Sequence, residues 1–95
     1  MSANDDDFFK RADEHINVAN EQLASNSRGA VSASMMYSVA RFNAWLSACE
    51  FKSAAEMATS KERTLKYFVA QYEKMLKENL EDYITHFDKY MKAAE

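Results

Sequence analysis

Residues 65–91 read LKYFVAQYEKMLKENLEDYITHFDKYM, and this stretch decides the fold. Leu65, Phe68, Val69, Tyr72, Leu76, Leu80, Tyr83, Ile84, Phe87, Tyr90 and Met91 recur at helical spacing and make one apolar stripe. Neither Gly nor Pro interrupts it. Its period is closer to eleven residues than to seven. Leu65, Leu76 and Phe87 align, as do Val69, Leu80 and Met91, whereas a strict heptad from Leu65 runs into Asn79 and His86 and one from Phe68 into Asp82 and Lys89. A long left-handed coiled coil is therefore disfavoured.

Upstream, Ser53-Ala54-Ala55-Glu56 matches a capping box, and Thr59-Ser60-Lys61-Glu62 is a second candidate helix start. One unbroken helix over 54–93 would be roughly 60 Å long. A compact domain of this size has a radius of gyration of only about 12 Å. Asn79-Leu80-Glu81-Asp82 offers cap chemistry, so a break or kink is predicted at 77–80. The alternative is three helices, with Tyr83, Ile84, Phe87 and Met91 buried in a dimer.

Nearer the N-terminus, Phe8, Ala12, Ile16, Ala19 and Leu23 mark one face of a first helix, which Asp6 or Asp7 can cap. It stops at Ser25-Asn26-Ser27-Arg28-Gly29, where Gly29, the only glycine, suits a left-handed C-terminal cap. A second helix places Val31, Met35, Val39, Phe42, Trp45, Leu46 and Cys49 on one broad face, opposite Ala33, Ala40, Ala44, Ser47 and Ala48. Between Val31 and Cys49 the one charge is Arg41.

The chain has 95 residues, one Gly, no Pro, 47% apolar and 28% charged residues. That is too short for two cores and too poor in turn residues for a β fold. The fold class is all-α: a compact bundle of four helices at about 7–26, 31–51, 54–78 and 80–93, or one long kinked helix in place of the last two. Residues 1–6 are expected as a disordered acidic N-terminus and 7–95 as a single helical domain.

Function is only narrowed by these data. The net charge of −3, with no basic cluster, disfavours nucleic acid and anionic membranes as partners. Ala30–Cys49 is long enough to span a bilayer, but its serines and central Arg41 argue against it. Acidic Asp5-Asp6-Asp7 replaces the positive start of a secretory signal. With Cys49 alone, no internal disulfide forms, and a reducing cytoplasm is the expected setting.

Three stretches carry a family resemblance: Arg11-Ala12-Asp13 with Ile16, Ala19 and Asn20; Gly29-Ala30-Val31-Ser32-Ala33-Ser34 leading to Ala40-Arg41-Phe42-Asn43; and Glu78-Asn79-Leu80-Glu81-Asp82-Tyr83 leading to Phe87 and Tyr90. Together they resemble a family of small proteobacterial proteins defined as a domain of unknown function. The resemblance covers about Phe8 to Tyr90. It implies a bacterial, cytoplasmic, helical protein and brings no activity, substrate or catalytic residue.

Candidate chemistry is sparse. Arg41 lies between the bulky and the Ala face of the second helix. It is read as an internal ion pair with Asp13, Glu14 or Asp82, or else as receiving an anionic ligand together with Asn43. Asn79, Asp82 and His86 share one flank, where Asp82 can meet His86 across a turn. This is either a patch for a polar ligand or three residues with local jobs. His15 is a boundary histidine, and Cys49 a small buried thiol. The Glu-x-x-His pairs of a di-iron bundle are absent, so neither a metal nor another cofactor is expected. Glu62–Lys66 and Glu73–Lys77 are spaced to pair along a solvated face. The favoured function is a non-enzymatic protein-interaction or scaffolding module, self-associating through the Ala face or the C-terminal aromatic face or binding another protein. The alternative is a binder of a small anionic ligand, or an enzyme, using Arg41, Asn43, Asn79, Asp82 and His86.

Overall fold

The computed structural model describes residues 2–92, with side chains from Asp7 onward. It contains α1 (Ser2–Gln22), α2 (Arg28–Ala48), α3 (Ala54–Thr59), α4 (Lys61–Thr85) and a terminal π-helical turn (Asp88–Lys92). The described residues hold no strand, so the all-α class stands. The backbone divides into two units, Met1–Trp45 and Leu46–Glu95, with the boundary inside α2.

In the first unit, α1 starts at Ser2 rather than near 7 and ends at Gln22 rather than 26. Asp6 and Asp7 thus lie within the helix and do not cap it. Asn26 closes its far end, donating from Nδ2 to the Gln22 carbonyl at 2.9 Å. The next residue opens α2: Ser27 Oγ accepts from the Ala30 N–H at 3.2 Å, and the Ser27 carbonyl accepts from Val31 N–H at 3.1 Å. The left-handed cap expected at Gly29 is not formed. No described residue has positive φ, and Gly29 is the second residue of α2. Asn26 and Ser27 satisfy both helix ends with side-chain hydrogen bonds, so the chain turns without a glycine conformation. The expected span 31–51 shifts accordingly to Arg28–Ala48.

Burial on α2 also departs from the expected broad face. Val31, at 6% exposure, is the one buried apolar side chain among the described residues. Met35, Asn43 and Ser47 continue the half-buried side, while Phe42 and Trp45 stand in solvent at 59% each. Apolar groups are spread almost evenly around α2, so hydrophobicity selects no single face. On α1, Ala12 and Ala19 are half-buried, and Phe8 and Ile16 are exposed.

In the second unit both sequence-predicted starts are realised. Ser53 caps α3: its Oγ accepts from the Glu56 N–H at 3.1 Å, and Glu56 Oε1 reaches back to the Lys52 N–H at 3.2 Å. Ser60 then separates α3 from α4. Its N–H donates to the Met57 carbonyl, its carbonyl accepts from Thr64 N–H at 2.9 Å, and its buried Oγ accepts from Arg63 Nη2 at 2.9 Å. The break expected at 77–80 does not occur. Asn79 sends Nδ2 back to the Met75 carbonyl at 2.8 Å, a bond that an unbroken helix accommodates, and α4 continues to Thr85. Two helices at 54–78 and 80–93 are thus replaced by a six-residue α3, a 25-residue α4 and the π turn. The expected end at 93 lies outside the described residues.

Two substitutions test the local account. At Gly29 an added Cβ meets nothing within 4 Å. Gly29→Ala is expected to stabilise by about 0.5–1 kcal/mol, a rise of a few degrees in Tm by circular dichroism. Ser53→Ala is expected to cost about 1 kcal/mol in the same melt, because it strips α3 of its cap.

Candidate functional site

The residues picked out by sequence fall into two groups. Arg41 and Asn43 lie on α2 in the first unit, and Asn79, Asp82 and His86 lie on α4 and its end in the second. Arg41 is exposed and makes no ion pair with Asp13 or Glu14, so that internal pairing is not formed. Its surroundings on α2 are small or apolar, and its position leaves the guanidinium free to stay hydrated. Asn43 is half-buried.

Asp82 and His86 do meet. The His86 ring nitrogen Nδ1 lies 3.0 Å from Asp82 Oδ1 and 3.2 Å from the Asp82 carbonyl. The spacing i, i+4 brings them together at the last turn of α4, where His86 is the C-cap. Asn79 shares the flank but spends its amide on Met75. A residue not singled out completes the group. Tyr90 donates its hydroxyl to the same Asp82 Oδ1 at 3.2 Å, and its ring lies 5.6 Å from His86 and 5.0 Å from Tyr83. Tyr90 follows His86 by four residues and Asp82 by eight, a spacing that a regular α-helix does not turn into a contact with Asp82. The π turn supplies the geometry.

Loss of hydration, then the hydrogen bond to Asp82 and its negative charge, raise the Tyr90 hydroxyl above the ordinary tyrosine value of 10.0. The neutral phenol is therefore the form the fold favours. The cluster can hold a hydrogen bond and orient an imidazole. It lacks a nucleophile, and among the described residues no three His, Cys, Asp or Glu side chains gather as a metal site needs.

Elsewhere in the second unit, a cleft of about 340 Å³ opens between the last turn of α2 and the start of α4. Leu46, Ser47, Glu50, Arg63, Tyr67 and Phe68 line it. It is broad and mostly apolar, with Arg63 already engaged by Ser60. Tyr67 is exposed at 58%, as are Phe42 and Trp45 at 59% each. Cys49 is exposed rather than buried, because α2 ends at Ala48 and the thiol falls in the following turn. His15 is exposed on α1. The expected Glu62–Lys66 and Glu73–Lys77 pairs do not close; Lys92–Asp88 does, at 3.3 Å. No helix among the described residues is long and apolar enough to cross a membrane.

The molecule is thus an all-helical protein whose apolar side chains stand largely in solvent and whose polar cluster is local to one helix end. It belongs to the family described as "Protein of unknown function (DUF3144)", whose model matches residues 8–84. A solved relative is the protein NB7890A from Shewanella sp., an NMR structure. It is similar at 40% sequence identity with a TM-score of 0.73, over 93% of each chain. Among curated proteins none matches.

The Asp82 contact carries a pH signature. Below pH 10 Tyr90 is neutral in both folded and unfolded chains, and its contribution to stability is complete. As pH rises through the higher folded value, phenolate forms beside Asp82 and that contribution is lost. Asp82→Asn is expected to lower the Tyr90 ionisation midpoint toward 10.0, with Tyr90→Phe assigning the signal in an ultraviolet or NMR titration. An unchanged midpoint would show that Asp82 does not act on Tyr90.

Proposed function

We propose that this protein is an interaction module that works through its helical surfaces rather than by catalysis. The observation that carries this reading is the exposure of large apolar side chains on every long helix. On α2, the Phe42 and Trp45 rings lie 5.5 Å apart, tilted by 40°, while each is 59% exposed. On α4, Leu65, Val69, Leu80 and Ile84 are each more than half exposed. Soluble chains rarely leave such contiguous apolar surface uncovered unless something docks on it. Exposed aromatic pairs are also the anchors that interfaces favour. A free, exposed Cys49 suits a reducing cytoplasm as the setting.

A second reading, recognition of a small polar or anionic ligand by Arg41, Asn43, Asn79, Asp82 and His86, has one supporting observation: the joint contact of Asp82 with His86 and Tyr90. It is the weaker, because the Asp82 carboxylate repels an anion and Asn79 is satisfied within its own helix.

The interaction reading expects assembly. In sedimentation over a range of concentrations the full chain should run above the mass of one copy, alone or with a partner co-purified from its own cells. Trp45→Glu with Phe42→Glu should leave helicity intact and weaken any assembly made through α2 by about tenfold or more. A chain that runs as one copy at every concentration, and that retains no partner, contradicts the reading.

A further inference from the structure

We infer that the occupant of the α4 stripe is a second copy of this chain, laid antiparallel along it; this deepens the interaction reading and rests on it. Along α4 and the π turn, Leu65, Val69, Tyr72, Leu76, Leu80, Tyr83, Phe87 and Met91 follow one another at spacings of four, three, four, four, three, four and four. Within α4 the pattern from Leu65 to Tyr83 averages the pitch of a straight α-helix, so that part of the stripe stays on one side of a rod about 27 Å long, and Phe87 and Met91 continue it into the π turn. It also reads almost the same in reverse. Two copies running in opposite directions set Leu65 against Met91, Val69 against Phe87, Tyr72 against Tyr83 and Leu76 against Leu80, each contact occurring twice by symmetry.

Area and charge both fit this occupant. These eight side chains are each between 42% and 58% exposed. A fully buried aromatic contributes about 150–250 Å², so half-exposed Tyr72, Tyr83 and Phe87 offer up to roughly 300 Å², and Leu65, Val69, Leu76, Leu80 and Met91 add to it toward the roughly 800 Å² that each partner brings to a standard interface. Charge is polarised along the rod. Lys61, Arg63, Lys66, Lys74 and Lys77 outnumber Glu62 and Glu73 in residues 61–77, whereas Glu78, Glu81, Asp82 and Asp88 outnumber Lys89 and Lys92 in 78–92. One rim of the stripe carries Lys66 and Lys77 early and Glu81 and Asp88 late. In an antiparallel pair this rim faces itself, bringing Lys66 to Asp88 and Lys77 to Glu81 of the second copy. A parallel pair sets that rim against the Phe68, Met75 and Tyr90 side and closes neither contact. The two helix dipoles also oppose each other only in the antiparallel arrangement.

The full chain settles this in two measurements. Sedimentation should give twice the single-copy mass, and Leu80→Glu should move dissociation to at least about tenfold higher concentration. Orientation is read by disulfide cross-linking, with the mixed pair placed on the rim beside the stripe. In a Cys49→Ser background, chains carrying Lys66→Cys are mixed with chains carrying Asp88→Cys and oxidised. The mixed disulfide should dominate, and Val69→Cys alone should not cross-link to itself. Self-linking through Val69→Cys would overturn the antiparallel arrangement while leaving a dimer. A single-copy mass at all concentrations would overturn the second copy as occupant. In that event a paramagnetic probe in solution decides the broader reading. Leu76 and Leu80 methyls open to the probe leave an interaction surface for another protein; methyls shielded from it show the chain covering its own stripe, and both proposals fall.

Discussion

Everything in this protein depends on where the apolar stripe of α4 goes. The 25 residues of α4 are not held by helix propensity alone, because most helical stability in proteins comes from packing an amphipathic face. Here the local devices are well made. Ser53 and Ser27 cap, Asn26 closes, and Ser60 joins the end of α3 to the first turn of α4. Each such device contributes about 1 kcal/mol, and the conformational entropy of ordering a long helix is far larger. Capping positions the rods; covering their greasy sides must hold them.

The parts legible in sequence were those set by local chemistry. The Ser53–Glu56 box and the start after Ser60 were readable because a hydroxyl three residues before a helical N–H has one dominant use. All-helical character was readable because Gly and Pro are nearly absent. Errors arose where one residue has two adequate local roles. Asn79 can cap a helix or bond back within one, and the uninterrupted stripe around it decides for the second. Gly29 can end a helix or begin one, and Asn26 and Ser27 already serve those ends. At both positions the neighbours, not the single residue, decide the local structure.

The candidate site was half legible for a related reason. Asp82 and His86 follow from helical spacing alone, so their contact could be read. Tyr90 could not, because its place depends on the helix relaxing after His86, at φ −114° and ψ 28°, into a wider π turn. No residue type announces that change. Arg41 and Cys49 erred in the opposite sense. Each was judged by a helix face, yet α2 distributes its apolar groups all round and stops one residue before the thiol.

Bulk charge shows why such a chain yields so little to composition. The formal value of −3 is small and excludes only strongly basic functions. It averages away the basic first half and acidic second half of α4, and that polarity is the feature with consequences. In the proposed antiparallel pair, apolar area supplies affinity without choosing a direction, since the stripe reads alike from either end. Rim charges add little energy in water, but they penalise the arrangement that sets like against like. In the antiparallel pair we propose, screening by salt relaxes these rim contacts, so direction is chosen most strictly at low ionic strength. In such a pair affinity and orientation are written in different residues, and only the first is visible in a hydrophobic pattern.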